Sequence, residues 1–331
     1  MLIENKSSSY PEIETRKREL CASYNQLAVI KLIKKIESKI KKYKLMTRKN
    51  LWIIALMIVF LSCNKEDQTV EETLETQGHN MLLIGNSFFK PYAQKLDELA
   101  IDAGFVEHIS TRITRGGDNG RPINFWNDSL TQEHLNIKAA LDQGDIDIFG
   151  MTAGHDFDNP TDRIEGHRAW INYALLSNPN ITIFIAIPQI DFPADWDSLA
   201  QVNGYNTIQE YYDYVVNDIV HNEMVDPLRA EFPNTKIFTI PTGWASFELA
   251  QMKQDNELLD NIAWFGPEAT SLFKDQKGHQ GNIIEESGSL VWLNSIYNVD
   301  LITYDYETSF NTDLHEIAKK ITDNHDSNYK F

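Results

Sequence analysis

Four short apolar runs, at residues 81–84, 147–151, 181–187 and 236–240, are separated by longer segments in which apolar residues recur every three or four positions. Runs of that length bounded by loops predict buried strands, and the period between them predicts helices. Strands buried on both faces and alternating with helices form a parallel sheet joined by crossover connections. The clearest helix carries Tyr92, Leu96, Leu99, Ala100 and Ala103 on one stripe, opens on Pro91 and ends at Gly104. Further helices are expected at 132–141, 161–176, 208–232, 244–254, 287–297 and 313–322. No internal repeat or low-complexity tract interrupts the alternation.

The pattern changes character before residue 80. Arg48 and Lys49 precede an apolar stretch, 51–61, that is too short for a helix across a bilayer core of about 30 Å. It reads as the apolar part of a secretion signal. The stretch closes on Phe60-Leu61-Ser62-Cys63, which resembles a bacterial lipobox and implies lipidation of Cys63 after cleavage. Phe60 departs from the usual aliphatic residue. The Asn64-Lys65-Glu66-Asp67 that follows resembles the export tag of surface-exposed Bacteroidetes lipoproteins. Residues 1–45 are then a non-native or read-through extension, 46–63 a signal peptide, 64–79 an acidic solvated tether, and 80–331 one domain. Two alternatives are a retained, uncleaved membrane anchor and a basic amphipathic helix around residues 27–45 that touches nucleic acid or lipid.

This division alters the charge balance. The whole chain carries a formal charge of −18, but residues 64–331 hold 17 Lys and Arg against 43 Asp and Glu, a net charge near −26. Such a surface repels phosphate backbones, so nucleic acid is excluded as a partner and neutral or esterified substrates are favoured. Cys21 and Cys63 are the two cysteines, and both precede the domain, which therefore has no disulfide framework and no thiolate metal site.

In an open parallel sheet the loops at the carboxyl ends of the strands converge on one crevice. Gly85-Asn86-Ser87 sits where the first expected strand ends, in position to present a hydroxyl there. The same position suits an N-cap serine. Asp275-Gln276-Lys277-Gly278-His279 places a carboxylate and an imidazole in a polar loop far downstream, the partners that a serine needs to lose its proton at neutral pH. An exposed loop histidine is the plainer alternative for His279. Arg115-Gly116-Gly117-Asp118-Asn119-Gly120 is a glycine-rich loop without the spacing of a dinucleotide site. His155 with Asp156 and Asp158 suggests a divalent-metal site, although no paired-histidine motif supports one. Trp126 and Trp196 lie in polar stretches, Asn-Phe-Trp-Asn-Asp and Ala-Asp-Trp-Asp, and are the aromatic residues expected to meet a sugar ring.

From about residue 81 to 297 the chain resembles the SGNH, or GDSL-like, hydrolases, whose first block reads Gly-Asp-Ser or Gly-Asn-Ser after strand one. The resemblance implies an α/β, three-layer, flavodoxin-like parallel sheet with helices on both faces. It also implies that Ser87 is the nucleophile and lends its amide to an oxyanion hole, that Gly117 supplies a second amide, and that His279 is the general base oriented by Asp275. Two departures stand out. The family's third-block asparagine is missing at Thr152-Ala153-Gly154-His155-Asp156, leaving His155, or Asn159 reaching back, as the third donor. The interval from Asp275 to His279 is one residue longer than the family's, with Gly278 placed to absorb the addition as a bulge.

The expectation is a serine esterase of the cell envelope, working without cofactor or metal. It would be tethered to the outer membrane by lipid on Cys63, exposed at the surface, and would remove small acyl groups such as acetyl from carbohydrate. The competing expectations are a catalytically impaired glycan-binding lipoprotein on the same fold and a metal-dependent hydrolase using His155.

Overall fold

The computed structural model describes residues 77–154 and 160–331, with only the backbone described for 160–163. The segment ending at Cys63, most of the acidic tether, and His155, Asp156, Asp158 and Asn159 therefore lie outside the described residues. The last tether residues already belong to the domain. Gly78 is buried against the backbone of Glu107 and His108, and the His79 ring stacks on Tyr297 at 5.1 Å.

Five parallel strands form the sheet: β1 (Asn80–Gly85), β2 (Ile109–Thr114), β3 (Ile148–Thr152), β4 (Thr182–Ala186) and β5 (Ile237–Ile240). Their spatial order is β2-β1-β3-β4-β5. Residues Met81, Leu82, Leu83 and Ile84 pair on one side with Ser110 to Ile113 and on the other with Ile148 to Met151. β1, β3, β4 and β5 are almost wholly buried, as their continuous apolar runs predict. The edge strand β2 reads Ile-Ser-Thr-Arg-Ile-Thr and buries only Ile113, so it carries none of the apolar signal that marked the other four.

The connections supply the outer layers. α1 (Lys90–Asp102) leads from β1 to β2; α2 (Pro122–Asn127) and α3 (Gln132–Leu141) lead from β2 to β3; α4 (Pro160–Ser177) leads from β3 to β4. Between β4 and β5 come α5 (Trp196–Val202), α6 (Ile208–Tyr214), a π-helix (Val215–Val225) and α7 (Asp226–Glu231). The chain then continues through α8 (Trp244–Asp255), α9 (Asn282–Tyr297) and α10 (Leu314–Asn324). Right-handed crossovers that reverse direction after β2 place α1 on one face of the sheet and the next connections on the other. In agreement, α9 packs on α1, α8 and α10, whereas α4 packs on α2, α3 and the π-helix. This is the expected three-layer, flavodoxin-like arrangement.

One expected helix, 208–232, is a continuous helical stretch in three segments, α, π and α, and so in two registers. Pro227, at the start of α7, has no amide to donate to a preceding turn, and the bonding register changes just upstream of it. A two-stranded parallel sheet, β6 (Ala263–Phe265) with β7 (Ser271–Phe273), was not legible in the sequence, since each strand is three residues long. It matters because β7 runs directly into the loop that carries Asp275 and His279.

The core between the sheet and α9 is aromatic. Trp292 meets Phe89 and Phe184 edge-on at 4.9 and 5.2 Å, and its indole N–H donates to Thr242 Oγ1 at 2.7 Å. Full burial of a tryptophan needs such a partner for its one donor.

Candidate active site

The strand order changes direction between β1 and β3, and ligands of doubly wound sheets bind at that switch point, outside the carboxyl ends of the strands. Ser87 lies two residues past the end of β1. Its turn is held by the preceding residue. Asn86 Oδ1 accepts from the amides of Phe88 and Phe89 at 3.0 and 3.3 Å, and the Asn86 carbonyl accepts from Phe89 and Lys90 at 3.2 and 3.0 Å. Asn86, and not the serine, thus closes the turn that leads into α1, which leaves the Ser87 hydroxyl free for other work. Among the described residues, no hydrogen bond takes up the Ser87 amide.

The hydroxyl meets the downstream histidine. Ser87 Oγ lies 2.7 Å from His279 Nε2, although 192 positions separate the two residues. On the far side of the ring, His279 Nδ1 is 2.5 Å from Asp275 Oδ2. The other carboxylate oxygen, Oδ1, accepts from the amides of Gly278 and His279 at 3.1 and 3.2 Å. Gly278 adopts φ of 100° and its amide also closes a turn onto the Asp275 carbonyl, so the extra residue between acid and base is taken up within the loop. Serine, imidazole and carboxylate therefore stand in one hydrogen-bonded line.

Burial raises the Asp275 pKa, but hydrogen bonds from the His279 ring and amide, the charge of the ring and the Gly278 amide outweigh it and hold the carboxyl below its ordinary range. The carboxylate stays ionised at neutral pH and accepts a proton-bearing Nδ1, which leaves Nε2 to accept from the serine. The His279 ring is clasped from the side by Phe88, whose ring stacks on it at 4.8 Å and 13°.

The glycine-rich loop packs against the same turn through Gly120. A Cβ on Gly120 would lie 2.6 Å from Asn86 Cα and 2.7 Å from the Arg115 carbonyl oxygen, so Gly120 is the residue that lets this loop press against the Ser87 turn. Gly117 has φ of 55° with open space around its Cβ position. His155 lies outside the described residues, as do Asp156 and Asp158. Among the described residues, no group of three or more His, Cys, Asp and Glu side chains is arranged to hold a metal ion.

The two tryptophans depart from expectation. Trp196 is not in an open loop: it begins α5, is 4% exposed, donates to the Ile190 carbonyl at 3.0 Å, and packs against Phe247 and Phe273. A ring enclosed on both sides offers no face to a sugar, so Trp196 is a core residue. Trp126 belongs to α2, is half-buried, and packs edge-on against Trp170 at 4.9 Å with Lys138 Nζ 5.0 Å from its centroid. In both cases the flanking polar residues hid a short helix that turns the indole inward.

The exposed aromatic beside the histidine loop is Phe192, which sequence reasoning passed over. It follows β4, is 51% exposed, holds left-handed backbone angles (φ 57°, ψ 68°), and donates its amide to the Lys277 carbonyl at 2.9 Å. Asp191 pairs with Lys277 at 3.4 Å. The clue in the sequence is the Asp-Phe-Pro that follows the β4 run.

Comparison with known proteins adds to the fold. No family model matches the chain, and no curated protein matches it. Solved structures do match, two of them of the following kinds. One is a DUF4886 family protein from Bacteroides uniformis ATCC 8492, similar over 74% of this chain and 94% of that one, with a TM-score of 0.50 and 14% identity. The other is the periplasmic domain of a lipopolysaccharide acetyltransferase from Salmonella ser. Paratyphi A, covering 68% of this chain and 84% of that one, with a TM-score of 0.38 and 15% identity. At such identity the first likeness speaks for the shared fold alone. Among the described residues, no helix is long and apolar enough to cross a membrane.

Proposed function

We propose that this protein is a serine ester hydrolase of the SGNH type that works through an acyl-enzyme. The observation that carries the reading is the continuous line from Ser87 Oγ through the His279 ring to Asp275, at 2.7 and 2.5 Å. His279 Nε2 takes the Ser87 proton as Oγ attacks the ester carbonyl carbon, and the carbonyl π electrons move onto oxygen. The Ser87 amide, the Gly117 amide and His155 are the proposed donors to that oxyanion. His279 then gives its proton to the departing alkoxide, and the alcohol leaves. Water attacks the acyl-enzyme with His279 as base, and the proton returns to Ser87 Oγ as the acid is released. Throughout, Asp275 keeps the ring in the tautomer that donates from Nδ1.

The substrate class in this reading is an O-acylated, chiefly O-acetylated, carbohydrate. The strongly acidic chain disfavours polyanions. The lipobox-like segment ending at Cys63 supports a lipid-anchored protein of the outer membrane facing outward. No cofactor or metal enters the steps, and nucleic acid is not a partner.

Hydrolysis of p-nitrophenyl acetate tests the reading. The wild-type protein should turn over, Ser87→Ala should not, and chelator should leave the rate unchanged. Turnover that survives Ser87→Ala and is lost with chelator would reject the serine mechanism in favour of metal-assisted hydrolysis.

A further inference from the structure

Behind the reacting side chains lies a buried pair of amides. Gln189, on the loop after β4, donates from Nε2 to the Gly278 carbonyl at 2.5 Å, and its Oε1 accepts from Ser246 Oγ at 2.7 Å. Gln280 donates from Nε2 to the Phe88 carbonyl at 3.1 Å and reaches Gln189 Oε1 at 3.5 Å. Gln189 and Gln280 are each 1% exposed and Ser246 is fully buried. The carbonyls they hold are not arbitrary ones. Phe88 follows Ser87, and Gly278 and Gln280 stand on either side of His279.

Burying two primary amides is costly unless their groups are hydrogen-bonded, and an apolar pair would fill the same space without that cost. What an apolar pair would lack is a directional tie between two loops that share no strand or helix. Ser87 rides on the turn after β1 and His279 on the loop after β7, so the sheet ladder does not set the distance between them. Tight geometry at a reacting pair has to be supported by neighbours whose own positions are locked. The turn is further confined at Gly278, where a Cβ would lie 2.8 Å from Pro193 Cδ.

Resting on the hydrolase reading above, we propose that Gln189 and Gln280 are positioning residues: a buried amide clamp that holds the base loop against the nucleophile turn and sets the contact between Ser87 Oγ and His279 Nε2. Ser246 orients the clamp by donating to Gln189 Oε1, which leaves Gln189 Nε2 to face Gly278. Neither glutamine takes part in bond making.

The test uses the full-length protein, with a fluorophosphonate probe that phosphonylates an activated serine with loss of fluoride, and proton NMR of the low-field Nδ1 proton shared by His279 and Asp275. Gln189→Leu removes the donor; Gln189→Glu keeps the shape and retains a donor only while the buried carboxyl is protonated. Thermal melts select variants that fold. The clamp predicts that Gln189→Leu slows phosphonylation of Ser87 by about 10²-fold across the pH range with little change in probe affinity. It also predicts that Gln189→Glu turns a rate that rises to a plateau with pH into a bell, and that the low-field proton shifts or vanishes in Gln189→Leu. Folded variants that label at the wild-type rate and keep the resonance unchanged would overturn the proposal. If the probe does not label wild-type Ser87, it is the hydrolase reading that fails, and the resonance alone then decides the clamp: altered in Gln189→Leu it stands, unaltered it falls.

Discussion

The ring of Phe88 lies nearly parallel to the imidazole of His279, 4.8 Å away, while the residue before it, Ser87, reaches the same imidazole edge-on through its hydroxyl. One short turn thus holds the histidine by a face and by a nitrogen. Phe88 is 2% exposed, so its ring is both a wall of the site and part of the core. Phe88→Leu keeps most of the volume but loses the flat surface, and is expected to lower kcat on p-nitrophenyl acetate by about tenfold with KM little changed, as a small misplacement of the base requires. Phe88→Ala should in addition cost about 3–5 kcal/mol in denaturant unfolding. Wild-type kcat in Phe88→Leu would show that the stacking does not guide the ring.

Asp275 is expected to matter more for turnover than for folding, because its side chain is 46% exposed and its partners lie in its own loop. Asp275→Asn should reduce kcat by about 10²–10⁴-fold, since an amide does not hold the Nδ1-protonated tautomer. The melting temperature at pH 7 should move little. The wild-type carboxyl titrates below its ordinary value, so its contribution to stability is present above about pH 4 and is lost as the pH falls through the folded-state value. A loss of kcat below threefold in Asp275→Asn would remove the acid from the mechanism.

The glycine-rich loop offers a contrast between neighbours. Gly116→Ala places a methyl group in open space and should leave both activity and stability unchanged. Gly120→Ala drives a Cβ to 2.6 Å from the Asn86 backbone, which has to shift and carry Ser87 with it. Esterase activity in Gly120→Ala should fall by about 10²-fold or more, measured beside Gly116→Ala in the same assay. Equal activities would mean that the loop does not bear on the nucleophile turn.

Acid sensitivity should arise far from the site. Thr239 Oγ1 bridges His221 Nε2 at 3.0 Å and His325 Nε2 at 2.8 Å, and the His221 ring stacks on Tyr329 at 3.6 Å. Burial, followed by the neighbouring His325, lowers the His221 pKa to about 3; burial, followed by Lys330, lowers that of His325 to about 4. Because the unfolded chain protonates near 6.5 and the folded chain does not, the unfolded state binds more protons between about pH 6.5 and pH 4. Stability therefore falls as pH drops through that window. Urea midpoints measured from pH 8 to pH 4 should decline below about 6.5, and less steeply in His325→Gln. A midpoint that is flat across the window would contradict the burial of neutral imidazoles.

Trp196→Ala should cost about 3–5 kcal/mol of unfolding free energy through the cavity left between Phe247 and Phe273. Trp196→Phe should retain KM for the acetylated sugars proposed as substrates, because the ring is buried. A raised KM with unchanged stability would restore the ligand-contact expectation that the structure overturns.

Much of this was legible along the chain. Continuous apolar runs marked β1, β3, β4 and β5, because a strand buried on both faces has no polar alternative. β2 carries no such apolar run, because an edge strand with one buried side chain has no such requirement. The serine was visible as a hydroxyl at a strand-to-helix turn, and Asp275 and His279 as the acid and imidazole of a polar loop. The glutamines were not: an amide side chain has no signature in sequence, and only its two partners reveal what it ties together.

The linear order of residues determined which segments would be strands and which side chains had the chemistry of a nucleophile, a base and an acid, since those properties belong to local composition and period. Folding decided that Ser87 and His279 stand 2.7 Å apart, that the Asn86 side chain closes the turn before α1, and that Gly120 and two buried glutamines press the loops together. It also decided that both indoles turn inward. These are contacts between residues that lie tens to nearly two hundred positions apart or across a helix boundary, and their distances are set by long-range packing, such as that of α9 against α1 and β7, which local sequence does not encode.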